Sequence, residues 1–372
     1  MSGQVLITGG AGFIGSHLTN ELLRHGYRVR ILDSLIPQVH GPGHRRPAYL
    51  TREAELMVGD VRNPAKVREA LKGVRMVVHL AARVGVGQSM YEVAEYTSVN
   101  THGTAVLLEQ LTQHPVERLL VASSMSIYGE GLYRTTTGRI ATAVDRTLAQ
   151  LKAGDWEVRN DKGERLVPMP TPESKPPALS SIYALNKWDQ EQMCHILGRS
   201  YGIPSVALRF WNVYGPHQAL SNPYTGVLAI FGSRLLNNRA PLVNEDGLQQ
   251  RDFISVYDVA RACRLSLETP LEGQHSLNIG SGNVYTIREL AYRVAATLGK
   301  EDIEPEITGK YRAGDIRHCI PDIAAAQRVL GFQPQVSLET GLADLAGWLD
   351  GQQAPDHVLE SRAELAQRGL ML

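Results

Sequence analysis

A glycine-rich run, Thr8-Gly9-Gly10-Ala11-Gly12-Phe13-Ile14-Gly15, joins a strand-like segment over residues 4–8 to helix-period apolar residues over 13–25. Few folds accept that junction. The run satisfies both G-x-x-G-x-x-G (Gly9, Gly12, Gly15) and G-x-G-x-x-G (Gly10, Gly12, Gly15). Glycine is needed where the strand turns sharply, where backbone must approach a ligand, and where helix packs on strand. The unpaired N–H groups and the dipole of a helix beginning near Phe13 then face anionic ligand groups. A strand before and a helix after predict a dinucleotide-phosphate site rather than an ordinary strand-to-helix turn.

The alternation continues. Short aliphatic runs at 28–32, 56–58, 76–80 and 118–123 read as strands buried on both faces, with helical patterns at 13–25, 64–71 and 93–113 between them. The expected fold is α/β: a Rossmann-type doubly wound parallel sheet with a smaller C-terminal substrate-binding lobe. Residues 1–210 are assigned to the dinucleotide-binding domain, which resumes with a helix at 181–201 and a strand at 204–210. The polar, Gly- and Pro-punctuated stretch 131–177 is too long for a plain loop and is expected to be an inserted lobe or lid. Helices at 225–236, 256–267, 287–298, 323–330 and 338–349, with only short strands, place 211–350 mainly in the substrate-binding lobe. Residues 351–372 read as an exposed charged tail with one weak amphipathic turn at 365–370.

Lysine plus arginine (38) balance aspartate plus glutamate (38), so no global field favours nucleic acid or an anionic membrane. Cys194, Cys263 and Cys319 form no Cys-x-x-Cys pair, which argues against a disulfide scaffold or a zinc ribbon. No run approaches the ~18 apolar residues of a membrane span, and no basic leader precedes the first strand. A cytoplasmic protein is expected.

Asp33 closes the second strand, 18 residues beyond Gly15. A carboxylate there can accept both hydroxyls of an adenosine ribose and repels a 2′-phosphate, favouring NAD over NADP. Arg28 and Arg30 keep a phosphate clamp open, and capping of the next turn is the other role for Asp33. Asp60-Val61 could bracket the adenine, and Ala81-Ala82 leave room for the cofactor backbone. Further along, Tyr183 and Lys187 stand four residues apart on one helix face. A phenol titrates near ~10 and is a poor base at neutral pH, but an adjacent ammonium stabilises its phenolate. Such a pair is often only a solvated face. Ser123-Ser124-Met125-Ser126-Ile127-Tyr128-Gly129, at the carboxyl end of the fifth strand, supplies a second polar element where parallel sheets bind ligands.

Taken together, the Gly9–Gly15 loop, Asp33, His79-Leu80-Ala81-Ala82, Asn100, the Ser-Ser-x-Ser-x-Tyr-Gly element and Tyr183/Lys187 resemble an extended short-chain dehydrogenase/reductase. More narrowly, the chain resembles NAD-dependent nucleotide-sugar epimerases of the UDP-glucose 4-epimerase group. The segments Leu208-Arg209-Phe210-Trp211-Asn212-Val213-Tyr214-Gly215-Pro216 and Arg251-Asp252-Phe253-Ile254-Ser255-Val256-Tyr257-Asp258-Val259-Ala260 match that group too, and the likeness runs from residue 4 to about 350. It implies Ser124, Tyr183 and Lys187 as the catalytic set. It implies NAD held by Gly9, Gly12, Phe13, Ile14, Gly15, Asp33, Asp60, Val61, Leu80, Ala81, Ala82, Asn100, Tyr183 and Lys187. A nucleotide-diphosphate sugar would meet Ser124, Ser126, Asn212, Val227, Arg251 and Arg312, the last within Arg312-Ala313-Gly314-Asp315. The helices at 93–113 and 181–201 correspond to those that pair into a homodimer in the family, the expected state here; packing of their outer faces against the inserted lobe is the alternative.

Departures narrow the reaction. Sugar-nucleotide dehydratases carry an acid and a base after the catalytic Thr, whereas this chain has Met125-Ser126, which cannot protonate a leaving hydroxyl and deprotonate carbon 5. Reversible oxidation at carbon 4 remains, and with it epimerisation. A nucleotide-sugar oxidoreductase, either a 4-ketoreductase or a UDP-hexuronic acid decarboxylase, shares the first step and stays open. A non-catalytic NAD sensor is a third reading, set against retention of Ser124, Tyr183 and Lys187. The stretch 131–177 and residues 218–227 resemble dTDP-L-rhamnose 4-epimerase-like chains, which suggests a 6-deoxyhexose on dTDP. Such chains carry cysteine pairs in this insertion. Thr135-Thr136 and Asn160-Asp161-Lys162-Gly163 stand there here, so no metal is expected.

Overall fold

Seven parallel strands form the floor of the molecule, in the order Gln274–Ile279, Ser205–Phe210, Arg118–Ser124, Val74–His79, Gln4–Thr8, Arg28–Asp33, Glu55–Val58. The computed structural model describes residues 3–371 except 142, 144, 221–225, 313–314, 353–355 and 357. Strand order reverses between Gln4–Thr8 and Val74–His79, and the crevice at their carboxyl ends is where a doubly wound sheet binds its ligand. Central strands are buried along their whole length, as in Arg118–Ser124 and Ser205–Phe210, which accounts for their unbroken apolar runs.

Two apolar layers sandwich this sheet. On one face Leu18 and Leu22 of helix Phe13–Arg24 pack with Val259, Cys263 and Leu267 of helix Val256–Glu268. On the other, Val106, Leu107 and Leu111 of helix Gly103–Gln113 pack with Val67, Leu71 and Cys194. The expected boundary at 210 therefore needs correction. Val256–Glu268, Gln274–Ile279 and Ala324–Leu330 return to the dinucleotide lobe, and the Gln274–Ile279 strand extends its sheet beside Ser205–Phe210. A third core, built from Phe231, Leu235, Leu290, Val294, Leu342 and Leu345, belongs to the substrate lobe.

The expected helix at 93–113 is continuous but not uniform. Ser98–His102 forms a wider, π-helical turn between Val93–Thr97 and Gly103–Gln113. Asn100 is buried within it. The insertion contributes Leu132–Arg134, Ile140–Ala141 and Val167–Thr171. These strands join Tyr285–Thr286, Gln250–Arg251 and His318–Pro321 of the substrate lobe in one six-stranded sheet. The tail is not free either. Val358–Gln367 is a helix with Ser361 and Leu365 buried, and Met371 bridges to Arg312. Among the described residues no helix is long and apolar enough to cross a membrane.

Candidate active site

Three glycines of the loop are fixed by the protein itself. A Cβ on Gly9, whose φ is +72°, would lie 2.7 Å from the Ala81 nitrogen, and one on Gly15 would lie 2.5 Å from the Gly10 Cα. Gly10 meets Ile31 at 2.8 Å. Gly12 differs: its nearest neighbour would be the Gly9 carbonyl at 3.4 Å, so the protein alone leaves room for a methyl group. The glycine there keeps space on the side of a cavity of about 470 Å³ that the loop, Asp33, Asp60, Ala81 and Lys187 line. That is the cradle a pyrophosphate requires.

Of the cofactor positions named from sequence, Gly9, Gly12, Phe13, Ile14, Gly15, Asp33, Asp60, Val61, Leu80, Ala81, Ala82, Tyr183 and Lys187 all line this cavity. Asp33 also holds the loop, accepting the Ala11 and Leu35 N–H groups at 3.0 and 2.9 Å. The turn-capping role and the cavity-lining role therefore coexist. Asn100 is the remaining position. Its carbonyl accepts the Arg83 N–H at 2.7 Å and its amide donates to the Arg83 carbonyl at 3.1 Å. The buried amide spends both ends on the chain that leaves the fourth strand, and does not line the cavity. Sequence reasoning missed Arg62, Arg83 and His40 on the cavity wall. Arg62 had a signal, standing two residues after Asp60, which it grips at 2.6 Å. His40, 3.7 Å from Asp33, had none.

Helix Ile182–Tyr201 starts at Ser181, whose hydroxyl accepts the Ala184 N–H at 3.1 Å. Its buried face carries Tyr183, Lys187 and Glu191 at intervals of four. Glu191 is locked between Arg209 (2.6 Å) and the Ser123 hydroxyl (2.6 Å), and Arg209 also donates to the Tyr128 hydroxyl at 2.6 Å. This buried network fixes the helix against the fifth strand. Lys187 donates to the Ala122 carbonyl at 3.0 Å, and its Nζ lies 6.0 Å from the centre of the Tyr183 ring.

Burial pushes the Tyr183 phenol up to about 12, while a hydrogen bond with Ser124 pulls it back. The Ser124 oxygen accepts from the Ser126 N–H at 3.2 Å and the Ser126 hydroxyl at 2.9 Å. Its own O–H is thereby left to donate toward the phenol, a polarised chain that favours phenolate. Burial also lowers the Lys187 ammonium to about 8. The free protein thus holds a reluctant acid and a reluctant cation side by side. A positive ring bound beside the phenol shifts the balance toward phenolate.

A second cavity, of about 410 Å³, adjoins the first, and Ser124, Tyr183, Asn212 and Val227 line both. Ser126, Arg251 and Arg312 line only the second, so the six substrate positions named from sequence converge there. Arg251 donates to the carbonyls of Gln250 (2.8 Å), Arg317 (2.9 Å) and Ile316. Arg312 faces Asp315 at 3.3 Å, and Ala313-Gly314 between them lie outside the described residues, as do residues 221–225. Fully buried His79 is structural: it bonds Thr8 (2.7 Å) and Thr104 (2.9 Å), and burial takes it down to about 3. His217 stacks on Tyr49, with ring centres 4.6 Å apart.

The sequence profile of the NAD dependent epimerase/dehydratase family matches residues 5–149 and 161–280. The chain belongs to that family. It is 35% identical over 355 residues to a dTDP-L-rhamnose 4-epimerase of Burkholderia thailandensis, covering 93% of this chain and 94% of that one. Among solved structures it is similar to the UDP-glucose 4-epimerase of Thermotoga maritima with UDP-glucose. That pair has a TM-score of 0.76 at 29% identity, covering 93% of this chain and 98% of that one. The Thermus thermophilus UDP-glucose 4-epimerase complex with NAD gives a TM-score of 0.74 at 29% identity, covering 94% and 100%. As an NAD-dependent epimerase/dehydratase, the chain has a cavity that fits its cofactor. Gly12 leaves the space, Asp33 faces in, and the buried Lys187 ammonium has a single hydrogen-bond partner, the Ala122 carbonyl, among the described residues.

Proposed function

We propose that this protein is an NAD-dependent nucleotide-sugar 4-epimerase acting on a dTDP- or UDP-hexose through a transient 4-keto sugar. The carrying observation is the shared wall: Ser124 and Tyr183 stand where the cofactor cavity opens into the cavity lined by Asn212, Arg251 and Arg312. When bound, NAD supplies the acceptor and donor of hydride. Tyr183 takes the carbon 4 hydroxyl proton and returns it, Ser124 orients that hydroxyl, and Lys187 stabilises the phenolate and would hold the nicotinamide ribose. Asn212, Arg251 and Arg312 hold the diphosphate. Met125 and Ser126 follow Ser124 in the structure as in the sequence, so no acid–base pair adjoins it for dehydration.

The resemblance to the Burkholderia enzyme and the long insertion make dTDP-6-deoxyhexoses the first substrates to test. Exposed Leu185 and Ile196 on the outer face of helix Ile182–Tyr201, with exposed Val93 on helix Val93–Thr97 packed against it, support a homodimer through this face. Three free buried cysteines agree with a reducing, cytoplasmic setting.

The test is incubation of dTDP- and UDP-hexoses with the protein alone in deuterated water, followed by NMR. Two carbon 4 epimers at equilibrium, with the carbon 4 hydrogen retained and no net NADH, are expected. Carbon dioxide from a hexuronic acid, strict dependence on added NADPH, or solvent deuterium at carbon 6 would replace the epimerase reading.

A further inference from the structure

The C-terminal helix Val358–Gln367 walls one side of the substrate cavity through Val358, Ser361, Arg362 and Leu365. It is fastened on both sides of the cleft. Just before it, Asp356 pairs with Arg234 and Arg239 of the substrate lobe, each at 3.0 Å. Toward its other end Glu364 accepts the Tyr91 hydroxyl at 3.2 Å, and the Arg368 guanidinium lies 4.1 Å from the centre of the Tyr91 ring.

Arg362 is half-buried in that wall, and its polar partners are neutral: the Asn244 side-chain oxygen and, at 3.3 Å, the Thr308 hydroxyl. Among the described residues no carboxylate forms an ion pair with it. Burial first, then the like charges of Arg312 and Arg234, lower its pKa, and the Glu306 carboxylate offsets them only in part. A guanidinium drawn out of water beside a second guanidinium is unfavourable in the free protein and becomes favourable once an anion enters. Arg251, by contrast, already gives three of its five N–H groups to backbone carbonyls and keeps two for a ligand. Uncharged sugar hydroxyls do not call for an additional cation, whereas a diphosphate offers oxygens spaced for a guanidinium fork.

We propose that Arg362 is a further substrate-binding residue, which with Arg312 takes the diphosphate of the nucleotide sugar and makes the C-terminal helix part of the binding site. This rests on the nucleotide-sugar reading above. The experiment uses the full-length holoenzyme as wild type, Arg362→Gln and Arg362→Lys, titrated calorimetrically with UDP and dTDP. Arg362→Gln is expected to bind both about 10-fold more weakly, the loss of one charge-assisted contact. It should raise KM to a similar degree, with kcat, NAD content and thermal midpoint near wild type. Arg362→Lys, which keeps the charge, should fall between. Unchanged UDP and dTDP affinity in Arg362→Gln would overturn the proposal. So would a parallel fall in kcat and NAD content, which marks a structural role, or a Lys variant no better than Gln. A wild-type protein that binds neither UDP nor dTDP would instead sink the nucleotide-sugar reading itself, and this proposal with it.

Discussion

Lys187 should be a residue whose loss abolishes turnover and yet stabilises the nucleotide-free protein. Its ammonium is buried, with one backbone partner, and titrates at about 8 rather than its ordinary 10.5. At neutral pH the unfolded chain carries that charge in water, while the folded chain carries it out of water. At 1.36 kcal/mol per pH unit the penalty is about 3 kcal/mol. Lys187→Met removes the charge and keeps most of the volume, but it strips the Ala122 carbonyl of a donor, which costs about 1 kcal/mol. The net gain is about 2 kcal/mol, or roughly 3 °C for a protein of this size. The sign with pH is definite. Between pH 8 and 10.5 the unfolded state binds a proton that the folded state has released, so wild-type stability rises with pH through that window and the gap to the variant closes. Thermal unfolding of NAD-stripped wild type and Lys187→Met at pH 7.5 and 9.5 reads both effects. A lower midpoint for the variant at pH 7.5, or a gap that does not narrow at pH 9.5, would refute the argument.

Tyr183→Phe should lower turnover by about 10²–10⁴-fold, measured by NMR of the sugar epimers, while bound NAD persists, because only the proton-transferring hydroxyl is lost. Gly12→Ala should fold with a near-normal thermal midpoint but purify with little NAD. Gly15→Ala, whose new methyl meets backbone at 2.5 Å, should be destabilised with or without cofactor. Asp33→Ala should weaken NAD and narrow its advantage over NADP in fluorescence titrations, and it should also lower the midpoint, since Ala11 and Leu35 lose their acceptor.

The sheet and the grouping of Ser124, Tyr183 and Lys187 on one cavity wall were legible because both are written as local patterns. Buried parallel strands read as continuous apolar runs, and Tyr183/Lys187 as a four-residue interval on a helix. What the sequence hid are features fixed by partners far along the chain. Gln274–Ile279 is Gln-His-Ser-Leu-Asn-Ile, too polar to announce a strand, because it lies at the edge of the sheet. Asn100 sits at a position that the family resemblance assigns to the cofactor, yet the π-helical turn aims its amide at Arg83. The charged composition of 351–372 suggested solvent, whereas several of its charges face Tyr91, Arg234, Arg239 and Asn244 across the cleft. Arg251 and Arg312 stand out as candidates, but nothing local reveals that carbonyls take three N–H groups of the first.

The insertion at 131–177 is better understood as a foundation than as a lid. Arg317 has no exposed side-chain surface, and its charge is met by Glu157 of the insertion at 2.8 Å together with Glu245 (3.0 Å) and Asp246 (2.6 Å). Arg146, also of the insertion, reaches Glu245 at 2.8 Å and the Asp315 carbonyl at 2.8 Å. Lifting the insertion would expose some of these groups and leave others buried without a partner, at about 3–5 kcal/mol for each broken pair. Arg251 hangs from the carbonyls of Ile316 and Arg317, and Arg312 begins the same segment. The cations proposed to hold the diphosphate are therefore placed by a chain of charges that starts in the insertion. Shortening 131–177 in this enzyme should disturb the substrate cavity before it disturbs the NAD site, whose walls come from other strands.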